Sequence, residues 1–153
     1  MIKILFVCHG NICRSPMAEF IMKDIVRRHH REQDFLIESA ATSTEELGNP
    51  VYPPARRQLM QHGISCEGKT ARQFKASDYD RYDMIIVMDY NNLKNLRRIV
   101  PNDFENKVSM LMDYTSTKGS VSDPWYTRDF DKAYSDIFRG CEGLYAFLTE
   151  NHA

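Results

Sequence analysis

Long hydrophobic runs are missing from this sequence of 153 residues. The longest apolar stretch near its start is Ile4–Cys8, which is too short for the core of a signal peptide and far too short to cross a bilayer. No small-residue cleavage site follows this stretch. The sequence therefore predicts a protein that stays in the cytoplasm and has no membrane partner.

An excess of charge of one sign is also lacking, because 20 Lys and Arg stand against 21 Asp and Glu, for a net charge of −1. Proteins that bind nucleic acid usually carry a basic face, so we expect no nucleic-acid partner. A small local site could still hold an anion such as phosphate. The sequence does not determine the oligomeric state, for which a monomer or a weak dimer is the expectation.

Cysteine is limited to Cys8, Cys13, Cys66 and Cys141, and these lack the spacing of a zinc site. A zinc site usually combines two closely spaced Cys or His pairs, and no second pair completes a tetrahedral set here. A cytoplasmic location argues for free thiols rather than disulfides. We therefore expect neither a metal nor a cofactor.

Strand-like and helix-like segments alternate along the chain, which predicts one α/β domain over residues 1–153. The expected architecture is doubly wound, with a four-stranded parallel sheet flanked by helices on both faces. The first helix would have Ser15 as its N-cap and end in the basic run Arg27–Arg31. The other predicted helices lie near residues 55–62, 91–99 and 129–151, and the strands occupy residues 2–7, 35–40, 83–88 and 108–112.

Cysteine, five residues and arginine form a pattern that occurs twice, at Cys8–Arg14 and at Cys66–Arg72. The bare pattern is weak, but its context separates the two. Cys8 follows a buried strand, and ligands of doubly wound folds bind at the carboxyl ends of strands. The second match follows a helix, precedes none, and places Glu67 where an anion would be repelled. We interpret Cys66 as structural and Cys8 as a candidate nucleophile.

The residue types of the first loop suit phosphate binding. Gly10 and Asn11 tolerate positive φ, so successive N–H groups can turn inward, and the following helix adds its positive end. These groups favour a thiolate, the form of cysteine that attacks phosphorus. The planar fork of Arg14 matches two phosphoryl oxygens. The predicted phosphate-binding residues are His9, Gly10, Asn11, Ile12, Cys13, Arg14 and Ser15, and Ser15 could donate a hydrogen bond to the sulfur of Cys8.

The stretch FVCHGNICRSPMAE closely resembles the signature of the low-molecular-weight protein tyrosine phosphatases. The sequence DPWY at residues 123–126 resembles the second motif of that family, Asp-Pro-aromatic. The pair Met88–Asp89, the chain length and the motif spacing agree as well. The resemblance thus covers essentially the whole chain.

This resemblance implies a phosphotyrosine-containing protein as substrate and hydrolysis of its monoester through a cysteinyl-phosphate intermediate, without a metal. It implies that Cys8 is the nucleophile, Arg14 the phosphate clamp and Asp123 the general acid. The residues that would support the loop are Asn11, Ser15 and Ser39, and those that would line the substrate pocket are Glu45, Trp125 and Tyr126.

Asp123 is ambiguous on its own, since Asp-Pro is more often a turn than a catalytic acid. The chemistry nevertheless needs an acid, because a departing oxyanion is a poor leaving group at neutral pH. Asp123 would protonate this group in the first step. As a carboxylate it would then activate water against the intermediate.

Two stretches depart from the pattern of the family. Many members carry an aromatic residue at the pocket rim, where this chain has Glu45 and Glu46. One hypothesis is that these carboxylates disfavour acidic residues beside the phosphotyrosine, and the alternative is that they are solvated loop charges. Some members use a histidine to support the phosphate loop where this chain has Gly68–Lys69, so the expectation is that this support is missing.

Cys13 lies within the loop and allows two interpretations. It could be a small packing residue. It could instead form a reversible disulfide with Cys8 that protects the nucleophile from over-oxidation.

Four rival functions remain at this stage. Arsenate reductases share the fold, but the ones comparable with this chain carry an extra cysteine pair near the fourth strand. Residues 79–90 of this chain contain no cysteine. Phosphoarginine phosphatases usually have Thr where this chain has the apolar Ile12. A phosphocarrier subunit would need neither Arg14 nor Asp123. A phosphopeptide-binding module without activity would usually lack one of Cys8, Arg14 and Asp123.

Overall fold

A central parallel sheet organises residues 1–150, the part of the chain that the computed structural model describes. Its strands lie in the order β2-β1-β3-β4 and all run parallel. This arrangement confirms the predicted four-stranded parallel sheet. The strands are β1 (Ile2–Cys8), β2 (Phe35–Ala41), β3 (Met84–Val87) and β4 (Val108–Met110).

The central strand β1 is apolar because both of its faces are covered. Ile4, Leu5, Phe6 and Val7 are completely buried, and the strand pairs with β2 on one side and β3 on the other. A parallel strand with helices above and below it gives such a continuous apolar run. The carboxyl end of β1, at Cys8, therefore lies in the middle of one edge of the sheet.

Helices cover both faces of the sheet, as predicted for a doubly wound domain. Residues of α1 and α6 pack with Ile4 and Phe6 on one face, and residues of α3 and α4 pack with Leu5 and Val7 on the other. Within residues 1–150, no helix has the length and apolar character needed to cross a membrane. The helices are α1 (Arg14–Arg28), α2 (Pro53–Gln61), α3 (Asp78–Arg81), α4 (Tyr90–Ile99), α5 (Pro124–Thr127) and α6 (Phe130–Glu150), with short 3-10 helices at Glu32–Asp34 and Leu111–Tyr114.

Two predicted boundaries are wrong for physical reasons. Helix α1 begins at Arg14 with Cys13 at its N-cap position, because the hydroxyl of Ser15 is hydrogen-bonded to other groups and does not cap the helix. Strand β4 ends at Met110 rather than at residue 112, since the chain turns there into the 3-10 helix. The last residue predicted for α6, Asn151, lies outside the described residues.

Helix α6 approaches the 3-10 helix Leu111–Tyr114 very closely, and two glycines make this possible. A Cβ atom built on Gly143 would lie 1.9 Å from the carbonyl oxygen of Tyr114, and one built on Gly140 would lie 2.5 Å from Cγ of Leu111. Side chains at these positions would push the two segments apart. The segment held in this way leads directly into the loop that carries Asp123.

We predict that Gly143→Ala destabilises the protein. In a helix interior without a clash, this exchange would stabilise by about 1 kcal/mol. Here the new methyl group meets a backbone carbonyl, and overpacking of this kind costs roughly 1–3 kcal/mol. We expect the free energy of unfolding, measured by urea denaturation, to fall. The exposed neighbour provides the control, since Glu142→Ala should change it by less than about 0.5 kcal/mol, and a stabilised Gly143→Ala protein would contradict the prediction.

Candidate active site

The loop between β1 and α1 forms the floor of a pocket of about 430 Å³. The pocket lies at the carboxyl edge of the sheet, where the sequence predicted chemistry. Its walls come from three other segments: the loop after β2, the start of α4 and the segment around α5. The lining residues are Cys8, His9, Gly10, Ile12, Cys13, Arg14, Glu45, Glu46, Asp89, Asn91, Asn92, Asn95, Asp123, Trp125 and Tyr126.

Asn11 holds the loop from beneath. It is buried and has a φ of 58°, the left-handed conformation that the sequence predicted for this position. Its Oδ1 accepts a hydrogen bond from the backbone N–H of Arg72 at 3.2 Å. Because a backbone N–H can only donate, the amide nitrogen of Asn11 must face the other way, where it donates to Ser15 Oγ at 2.8 Å and Ser39 Oγ at 2.9 Å.

The orientation of Asn11 determines how Ser15 meets Cys8. The sulfur of Cys8 lies 2.9 Å from Ser15 Oγ. Since this hydroxyl already accepts a hydrogen bond from Asn11, its own proton is available to the sulfur. The hydroxyl of Ser15 is therefore oriented to donate to the sulfur of Cys8, as the sequence suggested.

Ser39 extends the hydrogen-bond chain to Glu19 and Lys69, two residues whose part in it the sequence did not predict. Ser39 accepts from Asn11 and donates to Glu19 Oε1 at 2.5 Å. Lys69 Nζ donates to the carbonyl of Ser39 at 3.0 Å and lies 3.6 Å from Glu19. Burial lowers the pKa of Lys69, and the Glu19 carboxylate opposes this change. Lys69, which stands where some family members have the histidine, thus contacts Ser39 and Glu19 beneath the loop but not the loop itself.

Arg14 is buried between two acids and a carbonyl group. Its Nη1 donates to the carbonyl of Val121 at 3.0 Å and pairs with Asp89 at 2.8 Å, while Nη2 lies 3.3 Å from Asp123 Oδ2. The sequence singled out Asp89 only as part of a matching pair with Met88. Its position directly after the buried strand β3 was the signal that it would reach the same edge of the sheet as Cys8.

Asp123 is the N-cap residue of α5, and its Oδ1 accepts from the N–H of Trp125 at 3.0 Å. Asp123 thus forms the turn that Asp-Pro favours and also lines the pocket, and its role as a general acid stays a prediction. Trp125 and Tyr126 line the pocket beside it and are substantially exposed. Tyr52, which the sequence did not single out, places its ring 5.1 Å from that of Trp125 and supports this wall.

The opposite rim is acidic. Glu45 and Glu46 both line the pocket, and Glu45 pairs with His9 at 2.9 Å across the mouth. Glu46 accepts from the side-chain amide of Asn49 at 2.6 Å. Two carboxylates are therefore held beside the entrance, one of them next to a histidine.

Cys13, Cys66 and Cys141 are buried thiols with raised pKa values. Burial, with a further contribution from Cys8, raises the pKa of Cys13 to about 12, and burial raises those of Cys66 and Cys141. Cys66 packs in the core rather than in the pocket. Cys13 and Cys8 line the same pocket, and a disulfide between them stays a prediction. In residues 1–150, no cluster of three or more His, Cys, Asp or Glu side chains could hold a metal ion.

Comparison with known proteins gives one consistent result. A family model described as low molecular weight phosphotyrosine protein phosphatase matches residues 3–153. The low molecular weight protein-tyrosine-phosphatase YfkJ of Bacillus subtilis is 39% identical over 152 residues, which cover 98% of this chain and 97% of that protein. The low molecular weight protein-tyrosine-phosphatase PtpA of Staphylococcus aureus (strain MRSA252) is 33% identical over 152 residues, which cover 99% of this chain and 96% of that protein.

Solved structures agree with these relatives. The crystal structure of YfkJ from Bacillus subtilis has a TM-score of 0.96 at 37% identity, covering 100% of this chain and 98% of that one. The crystal structure of the phosphatase SP-PTP from Streptococcus pyogenes has a TM-score of 0.87 at 39% identity, and the match covers 97% of this chain and 93% of that one. The fold and the length are thus shared over the whole domain.

We predict that iodoacetamide labels only Cys8 near neutral pH. Only a thiolate reacts quickly, and the raised pKa values keep the other three thiols protonated until the pH is far above neutral. Mass spectrometry should find one adduct per chain, and inorganic phosphate in the pocket should slow its formation. Cys8→Ser should take up no label, and labelling of Cys13 in that variant would contradict the prediction.

Proposed function

The chain belongs to the low molecular weight phosphotyrosine protein phosphatase family, and we propose that Cys8, Arg14 and Asp123 perform its chemistry. It is a protein-tyrosine-phosphatase, a hydrolase that acts through a cysteinyl-phosphate intermediate. The observation that supports these roles best is the oriented hydrogen-bond chain that ends on the Cys8 sulfur, in a pocket that also contains Arg14 and Asp123.

In the first step, the Cys8 thiolate attacks phosphorus, so that an S–P bond forms as the bond to the tyrosine oxygen breaks. Asp123 gives its proton to the departing phenolate. The N–H groups of residues 9–15 and the guanidinium of Arg14 hold the phosphoryl oxygens. Trp125 and Tyr126 flank the ring of the substrate.

In the second step, water attacks phosphorus, Asp123 accepts its proton, and the S–P bond breaks to release inorganic phosphate and the thiolate. Arg14 connects the two steps. A phosphoryl group would replace Asp123 as the partner of Nη2, while Asp89 and Val121 keep Nη1 in place. Substrate binding would thereby free the Asp123 carboxyl for proton transfer.

The cysteines bear on the cellular setting. All four are free, and a phosphatase that works through a thiolate needs a reducing compartment. We propose that residues 1–153 form a single phosphatase domain that works in the cytoplasm on proteins carrying phosphotyrosine. The expectations of a monomer or weak dimer and of no nucleic-acid partner stay predictions.

The acidic rim bears on which phosphotyrosines are preferred. Glu45 and Glu46 lie where residues next to the phosphotyrosine would pass. Among the described residues 1–150, Glu45 has His9 as a basic partner and Glu46 has none. Repulsion between like charges near a protein surface is worth up to about 1 kcal/mol. We propose that these carboxylates disfavour acidic residues beside the phosphotyrosine.

The assignment of roles is tested by hydrolysis of p-nitrophenyl phosphate in excess EDTA. We expect turnover that EDTA does not reduce, because the chemistry needs no metal. Cys8→Ser should reduce it to background, since a hydroxyl at this position is not ionised. Asp123→Asn should lower kcat by about 10²-fold or more through loss of the proton donor. Activity that survives Cys8→Ser would mean that another residue is the nucleophile.

The rim hypothesis predicts a change in peptide preference without a change in basic chemistry. In Glu45→Gln/Glu46→Gln, kcat/KM for a phosphopeptide with acidic neighbours should rise by about two- to fivefold relative to one with basic neighbours. The activity on p-nitrophenyl phosphate should stay the same. The control Glu67→Gln removes an exposed carboxylate outside the pocket, and a ratio that moves equally in both variants would refute the hypothesis.

A further inference from the structure

The loop that carries Asp123 is attached to the protein on two sides. On the pocket side, the N–H of Val121 donates to the carbonyl of Met88 at 2.9 Å, and its carbonyl accepts from Arg14. On the other side, the loop lies against α6. This second attachment takes no part in the two chemical steps of the proposed mechanism. It nevertheless fixes the backbone directly before Asp123.

Asp136 is the residue of α6 that faces this loop. Its carboxylate is buried, with the residue only 4% exposed, and Oδ2 lies 3.5 Å from the backbone N–H of Ser122. Two cations of the same helix balance the charge: Arg139 donates to Oδ1 at 2.8 Å, and Lys132 lies 3.4 Å from Oδ2. A buried carboxylate is retained only when it is paired in this way.

Arg139 connects the same cluster to the loop a second time. Its other terminal nitrogen donates to the hydroxyl of Thr117 at 3.3 Å, five residues before Ser122. The hydroxyl of Ser122 is buried and finds no partner among residues 1–150, so Asp136 reaches this residue through its backbone rather than its side chain. The cluster thus holds the Val121–Ser122 peptide group, one residue before Asp123.

We propose that Asp136 is a positioning residue for the general acid. By accepting from the Ser122 N–H, it fixes the backbone next to Asp123 and so keeps the acid's carboxyl group within reach of the leaving oxygen. Proton transfer depends strongly on this placement, since an error of about 1 Å can cost 10²-fold in rate. The inference rests on the proposed role of Asp123.

A simpler interpretation is that Asp136 only stabilises α6 through its pairs with Lys132, four residues before it, and Arg139, three residues after it. The two interpretations differ in what a substitution changes. Loss of helix stabilisation lowers the free energy of unfolding and leaves the chemistry of the folded enzyme alone. Loss of positioning affects most the substrates whose leaving group needs a proton.

Two aryl phosphates separate the interpretations. Phenyl phosphate releases a basic phenolate that needs the acid, whereas 2,4-dinitrophenyl phosphate releases a stable phenolate that does not. In Asp136→Ala we expect kcat/KM for phenyl phosphate to fall by about tenfold and that for dinitrophenyl phosphate by less than about twofold. The inhibition constant of inorganic phosphate should change by less than about twofold, because Asp89 still pairs with Arg14 and the phosphate loop itself is untouched. An equal fall for both substrates, or none, would overturn the proposal.

Three further variants complete the experiment. Asp123→Asn must itself lose activity selectively on phenyl phosphate; if it does not, the proposed role of Asp123 fails, whatever Asp136 does. Glu142→Ala removes an exposed carboxylate of α6 and should leave the ratio of the two substrates unchanged. If Asp136→Ala does not fold, the ratio of the two substrates is measured in Asp136→Asn instead. Its neutral amide is a weaker acceptor, so a shift of the ratio by about threefold supports the proposal and an unchanged ratio refutes it.

Discussion

One backbone N–H group sets the direction of the hydrogen bonds beneath the phosphate loop. Because Arg72 donates to Oδ1 of Asn11, the amide nitrogen of Asn11 must face the two serine hydroxyls, and each hydroxyl then directs its proton away from Asn11. One proton points to the sulfur of Cys8 and the other to Glu19. The sulfur at one end and the carboxylate at the other can both accept these protons, so the hydrogen bonds are consistent in this direction.

The buried charges at the floor of the pocket and beneath it are paired locally. Arg14 is shared between Asp89 and Asp123, and Glu19 is shared between Lys23 and Lys69. Each buried charge has a partner of opposite sign within the same layer of the structure. Binding of a dianionic phosphoryl group therefore redistributes existing contacts and does not require a large basic surface.

The loop that is continuous in sequence could be predicted from its own residues. Distant residues of the site, such as Ser39 and Asp123, were predicted only through the resemblance to a family, and the remaining residues that meet the site through packing were not predicted. The loop Cys8–Arg14 follows a buried strand, so its pattern and its place in the fold were both visible. Glu19, Lys69 and Asp136 come from separate segments, and no local pattern distinguishes them from surface charges. The start of α1 was misplaced for a related reason, since Ser15 looks like a cap by sequence but its hydroxyl is taken up by Cys8 and Asn11.

The pocket wall is divided among independent crossovers, and this division has an evolutionary consequence. Glu45 follows β2, Asn91 follows β3, and Trp125 follows β4, while the phosphate loop belongs to β1. Drift in any one rim segment can alter which peptides are accepted without disturbing the hydrogen bonds that orient Cys8. If the rim selects peptides as proposed, substitutions in the rim can change the preferred substrate of such an enzyme while the hydrogen bonds beneath Cys8 are kept.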